Sequence, residues 1–209
     1  GTKVLRSESP YVPRALTFDG SGRVEATEQV DGEETMLYAA SNWTVEIWVN
    51  PDATLTNAGS YAVLQRELIS NGADNFVVGL DVATNGALTA FGGFDREDDG
   101  HSTFAVDTGT AVIPRGEWTH LAASFSAEEG TLVLYKNGVE QVRGTDTGAQ
   151  PVTAGAGRIY LGSTGFVGLL KEARVWNATR TGAQVYGNYS MTLIFSAYQM
   201  ENSFHCEGS

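Results

Sequence analysis

Short stretches that alternate apolar and polar residues, each closed by turn residues, recur along this chain and constrain its fold more than any other feature. In Trp43-Thr44-Val45-Glu46-Ile47-Trp48-Val49, residues Trp43, Val45, Ile47 and Val49 fall on one face and Thr44, Glu46 and Trp48 on the other. That period of two marks a strand with one buried face. Pro51 then stops the ladder, because it has no N–H to give. Residues 76–82, 87–91, 118–125, 131–136, 139–142, 159–162 and 169–176 read as further strands. Asn85-Gly86 and Asn137-Gly138 each separate two such runs. Asn-Gly in that place favours a type I′ hairpin, whose two turn residues both need positive φ. Only residues 181–191 carry a helical pattern, with Gly187 inside it, and residues 193–200 read as one last strand. Many short strands at this spacing predict an all-β sandwich or barrel, with under about 10% helix.

Composition supports that reading and removes several function classes. Gly accounts for 25 of the 209 residues, well above the usual 7% or so, as frequent tight turns require. A chain of this length buries roughly 70% of its unfolded surface, so its core needs no metal or disulfide. Cys206 is the only cysteine, so no internal disulfide forms. With 25 acidic against 13 basic residues, the formal charge is −12. Nucleic-acid binding needs a basic footprint, so such a partner is not expected. No apolar run reaches the roughly 18 residues of a membrane span, so no membrane insertion is expected. Only Lys3, Lys136 and Lys171 are lysines.

Several segments, taken in order, carry a resemblance. They are Ala15-Leu16-Thr17-Phe18-Asp19-Gly20-Ser21-Gly22, the run from Trp43 to Pro51, Trp118-Thr119-His120-Leu121-Ala122, Thr131-Leu132-Val133-Leu134-Tyr135-Lys136-Asn137-Gly138, Leu170-Lys171-Glu172-Ala173-Arg174-Val175-Trp176-Asn177 and Tyr198-Gln199-Met200-Glu201-Asn202. Together they resemble the laminin-G-like, concanavalin-A-like jelly roll. The resemblance spans residues 15–204, leaving 1–14 as an N-terminal extension or first strand and 205–209 as a C-terminal tail. It implies an antiparallel two-sheet β-sandwich whose first and last strands are neighbours. It also implies an extracellular recognition module of a larger multidomain chain, binding a glycan or a cell-surface protein, often with calcium.

Candidate sites follow from residue chemistry. Hydrolases of this superfamily place Glu-x-Asp-x-x-Glu on one strand, and that pattern is absent. Gln65-Arg66-Glu67-Leu68 resembles a fragment of a lyase strand, but the Gln-Ile-His that should accompany it is missing. No catalytic residue is therefore assigned. A pair of buried acids with raised pKa would reopen that question. The stretch 91–104 reads as one loop, in which the segment 95–101 concentrates Asp95, Asp98, Asp99 and His101, with Phe91, Phe94 and Phe104 flanking it. Phe91, Phe94, Asp95, Asp98, Asp99 and His101 are the candidate ligand rim, since sugar sites combine an aromatic surface with carboxylates. The competing readings are a solvated acidic loop tip and three Phe rings plugging the sandwich end. Calcium takes six to eight hard oxygens, for which Asp95 and Asp98, or Asp19 together with Glu201, are candidates. An Asx turn is the alternative for Asp19. Lys171 stands where the family often has an Asp, which argues against calcium on that strand. Trp43, Trp118 and Trp176 are read as packing and His120 as a satisfied core histidine, while Glu172 and Arg174 are read as a surface ion pair.

Overall fold

The computed structural model describes residues 15–26, 29–30, 33–34, 41–97, 102–153 and 156–189, with the backbone alone at 26, 29, 30, 33 and 34. Fourteen strands and one helix are found among them. In chain order they are β1 (Leu16–Asp19), β2 (Val24–Ala26), β3 (Gln29–Val30), β4 (Glu33–Glu34), β5 (Trp43–Pro51), β6 (Gly59–Leu68) and β7 (Asp74–Val82). Then come β8 (Leu88–Asp95), β9 (Thr103–Asp107), β10 (Thr119–Ser126), β11 (Thr131–Lys136), β12 (Val139–Thr145), β13 (Gly157–Leu161), β14 (Val167–Trp176) and α1 (Gly182–Tyr189). The first sheet has the order β1-β14-β5-β10-β11-β12 and the second β2-β13-β6-β7-β8-β9, while β3 and β4 form a separate ribbon. All strand pairs among the described residues run antiparallel. The expected two-sheet sandwich is therefore present.

Strand alternation builds the core between the sheets. Trp43, Val45, Ile47 and Val49 of β5 join Leu121, Ala123 and Phe125 of β10 on one side. Phe76, Val78, Leu80 and Val82 of β7, with Leu88, Ala90 and Phe94 of β8, face them from the other. Trp43, Phe76, Phe94 and Phe125 form an aromatic centre, with the Phe94 and Phe125 rings 4.6 Å apart. Helix α1 lies on the outside of the first sheet, where Val185 closes a small second core with Ala122, Val133 and Tyr135. A capping box starts the helix: the Gln184 Oε1 accepts the Thr181 N–H at 2.9 Å, and the Thr181 hydroxyl accepts the Gln184 N–H at 3.4 Å.

Several expectations change. Asn137 and Gly138 take φ of 50° and 75°, as a type I′ turn demands. Gly86 has φ 76° but Asn85 is not left-handed, so that connection is a wider loop closed by the Ala83 N–H to the Ala87 carbonyl. Asn85 instead accepts the Ala87 N–H in an Asx turn. The stretch 91–104, read as one loop, is mostly strand: β8 runs through Asp95 and β9 begins at Thr103. The expected last strand, residues 193–200, lies outside the described residues, as does Cys206.

Candidate functional site

The outer face of the second sheet is assembled from alternate residues of five strands. On β8, Leu88, Ala90 and Phe94 enter the core, so Thr89, Phe91, Gly93 and Asp95 point outward. Cross-strand register aligns them in rows: Tyr160–Gln65–Val77–Gly93–Ala105, then Ala62–Gly79–Phe91–Asp107, then Ser60–Asp81–Thr89. Gly79 makes room for the aromatic ring of its neighbour. A Cβ there would fall 2.5 Å from the Phe91 Cζ and 2.5 Å from the Tyr61 carbonyl oxygen. The Phe91 ring therefore lies across the bare backbone of β7.

Acidic groups stand at both ends of this strip. At one end the Gln65 amide donates to Glu67 at 3.4 Å and to Asp74 at 3.3 Å. Asp95 accepts the Asp74 backbone N–H at 2.7 Å and the Thr103 hydroxyl at 2.9 Å. Burial, then the charges of Asp95 and Glu67, push the Asp74 carboxyl up to about 7, against the opposing pull of Arg23. Glu67 is paired with Arg23 at 3.2 Å. At the other end burial raises the Asp81 carboxyl; a Ser60 hydrogen bond opposes the rise and Asp107 adds to it. Asp107 itself accepts the Thr89 hydroxyl at 2.9 Å.

The outer face of the first sheet is organised differently. Glu46 and His120 are fully buried there, beneath α1. Arg174 Nη1 lies 3.5 Å from the Glu46 carboxylate, Arg180 Nε 3.7 Å, Asn188 Nδ2 3.4 Å and His120 Nε2 3.3 Å. The histidine nitrogen sits off the axis of a hydrogen bond, so its contact with Glu46 is electrostatic only. Arg174 also holds Glu172 at 3.0 Å. A register slip in β14 between Lys171 and Arg174, with Glu172 at φ 51°, puts these residues on the outer face. Thr44 and Ser124 share a 2.8 Å hydrogen bond, and both hydroxyls engage the backbone of Ala178 or Arg180, pinning the approach to α1.

The predicted site residues separate on this frame. Phe91 and Asp95 do share one outer face. Phe94 does not belong to a ligand rim: it is fully buried in the aromatic centre, because it sits one residue out of phase with Asp95. Phe104 packs on the same core. Asp98, Asp99, His101 and Glu201 lie outside the described residues. Asp19 forms the Asx turn, accepting the Ser21 N–H at 2.9 Å, and Ser21 holds its carboxyl below the usual range. Among the described residues no three His, Cys, Asp or Glu side chains are grouped to hold a metal. Both oxygens of Asp95 are engaged in joining β7, β8 and β9.

Two further expectations are corrected. The Glu172–Arg174 pair forms but is not a surface pair, with side chains only 8% and 7% exposed, because α1 covers it. Trp43 is core, whereas Trp118 and Trp176 are half-buried and outside it. Their ring faces are capped by cations: Lys171 at 4.3 Å over Trp118 and Arg180 at 3.9 Å over Trp176. Arg23 caps Tyr160 at 3.4 Å. No described cation lies over Phe91. Sequence reading missed Gln65, Asp74, Gly79, Asp81 and Asp107; the weak alternation around Gly79 in residues 76–82 was the available signal.

The family described as the concanavalin A-like lectin/glucanases superfamily matches residues 18–186, and the chain belongs to it. Among solved structures, a sialidase CBM40 from Ruminococcus gnavus aligns with TM-score 0.65 at 14% identity, over 85% of this chain and 97% of that one. Domain 4 of AbnA, an extracellular arabinanase from Geobacillus stearothermophilus in complex with arabinotriose, aligns with TM-score 0.58 at 22% identity, over 85% and 76%. A heptameric SAP-like pentraxin from Limulus polyphemus aligns with TM-score 0.56 at 18% identity, over 72% and 70%. At these identities the likeness is one of fold. Among curated proteins none matches the sequence.

Proposed function

We propose that this chain is a non-catalytic glycan-binding module of a larger extracellular protein, with the outer face of the second sheet as its binding surface. The observation that carries the reading is the Phe91 ring, laid over Gly79 and uncapped while the outward Trp48, Trp118, Trp176 and Tyr160 all have a cation near the ring. A half-buried, outward-facing ring bordered by Thr89, Asp81 and Asp107 combines an apolar surface with hydrogen-bonding groups, as small-molecule sites do. The acidic ends favour neutral sugars over sulfated or uronate polymers on this face. Solved relatives bound to arabinotriose and sialyllactose support a glycan as the ligand class. Protein adhesion is the alternative role, for which the exposed large apolar residues among those described, Leu16, Val24, Ile69, Val139 and Tyr186, are the candidates. A glycan array followed by titration calorimetry tests the proposal. Phe91→Ala should weaken a neutral oligosaccharide at least about tenfold, roughly 1.4 kcal/mol; unchanged affinity places the site elsewhere.

One observation favours a second reading. Asp74, whose carboxyl burial pushes up to about 7, lies beside Glu67, which Arg23 pairs, and a carboxyl group with a raised pKa next to a second carboxyl group is the equipment of glycoside hydrolysis. Chromogenic glycosides that release their aglycone with wild type but not with Asp74→Asn would convert the module into an enzyme.

A further inference from the structure

Lys171 differs from the other cations on the sheets. Arg23, Arg143, Arg158, Arg174 and Arg180 each lie within ion-pair distance of a carboxylate, and Lys136 donates to the Val112 carbonyl. Around β14, Glu46 and Glu172 balance Arg174 and Arg180 in charge, and the Lys171 ammonium is left over. Among the described residues it has neither a carboxylate nor a carbonyl partner. It is half-buried between two indoles, 4.3 Å from the Trp118 ring and 5.3 Å from the Trp48 ring.

Lys171 points outward by the alternation of β14, in register with Trp48, and the register slip that follows turns Arg174 outward as well while Leu170 and Val175 stay in the core; bulges of this kind commonly re-aim side chains at binding sites. An ammonium over an indole recovers only part of the hydration it loses; an incoming anion supplies the rest. The protein carries net charge −12, so an uncompensated, partly desolvated cation is a local exception to its field. The ammonium lies over the Trp118 ring and the Trp48 ring is stacked on Tyr189, so the indoles border the ammonium with their remaining edges, an apolar rim for a sugar ring rather than a stacking platform. A single point charge between flat rings fits one carboxylate better than a phosphate, which a guanidinium fork grips more fully.

We propose that Lys171, Trp48 and Trp118 form a second binding site, on the outside of the first sheet, for a sugar that carries a carboxylate, with the ammonium pairing the carboxylate and the indoles bordering the ring. This site is separate from the Phe91 face and acts on a different ligand charge. The test follows the four indole N–H signals of the full chain by 1H–15N NMR during titration with methyl β-D-glucuronide, with methyl β-D-glucoside, which differs only at C6, and with sodium acetate at matched ionic strength. The Trp48 and Trp118 signals should move saturably with the glucuronide. Those of Trp43 and Trp176, whose indole nitrogens are buried, should stay. The glucoside should bind at least fivefold more weakly, and acetate should move the signals less than the glucuronide. Lys171→Gln should remove the preference for the glucuronide; Lys171→Arg, which keeps the charge, should retain part of it and controls for folding. Phe91→Ala should leave the preference intact, which separates this site from the first. Still Trp48 and Trp118 signals, an equal response to glucoside or acetate, or a preference that survives in Lys171→Gln would each overturn the proposal.

Discussion

The two outer faces of the sandwich deal with charge in opposite ways. On the first sheet, Glu46 is surrounded by Arg174, Arg180, Asn188 and His120 and sealed by α1. On the second sheet, Asp74 and Asp81 keep no ion pair among the described residues, and burial raises both carboxyls. The first face holds its central acid in a covered network of cations, and the second leaves Asp74 and Asp81 to respond to solvent and ligand. Polar residues on a strand thus take on different work according to whether another element covers them.

The largest effect should come from breaking the covered face. Glu46→Ala leaves Arg174 and His120 buried beside an empty position, and removing one partner of a buried pair costs about 3–5 kcal/mol. The matching change on the other face, Glu67→Gln, breaks a pair whose side chains are 41% and 31% exposed and should cost no more than about 1 kcal/mol. Urea unfolding of the two variants measures the contrast directly; equal losses would erase it.

The next effect is pH-dependent. Folded Asp74 keeps its proton up to about 7, while an ordinary aspartate releases it near 3.8. Between those values the folded state binds more protons than the unfolded one, so stability falls as pH rises through that window and levels off above it. The loss should reach about 2–4 kcal/mol, and Asp74→Asn should flatten the curve between pH 4 and about 7. Melting temperatures across that range read it out, and a wild-type profile as flat as the variant's would contradict the assignment.

A smaller effect tests the platform. Gly79→Ala inserts a methyl group against the Phe91 ring and the Tyr61 carbonyl, and overpacking of this kind costs about 1–3 kcal/mol. It should also displace Phe91, so binding of a neutral oligosaccharide should weaken together with the melting temperature. A destabilised variant with wild-type affinity would show that the ring position is irrelevant to the ligand.

The sequence displayed much of the fold because alternation is a direct record of one-sided burial. Residues 43–49 have their sheet, their buried face and their end at Pro51 written in their order. Asn137-Gly138 is equally direct, since its φ values are set by the turn itself. Legibility fails where the chain slips. β6 has register shifts at Ala62/Leu64 and Arg66/Glu67, and these disrupt the period of two that would have marked it as a strand. The Gly92-Gly93 pair and the acids beyond it looked like one continuous loop, although both glycines lie in β8. The Phe94 error is a fault of phase: without the register of β8, nothing in the order of residues distinguishes it from Phe91. Cation caps were invisible because Lys171 and Trp118 meet only across strands.

The position of β5 also has a bearing on the speed of folding. Its neighbour β10 belongs to a local meander of β10, β11 and β12, the last two joined by the Asn137-Gly138 turn, and hairpins of this type close in roughly microseconds. Its other neighbour, β14, lies far along the chain: Glu46 and Arg174 are 128 residues apart. Closing so long a loop must precede any reward from the contact, and sandwiches of this kind fold in roughly milliseconds to seconds. Buried Glu46 therefore lacks its arginines until β14 has joined β5.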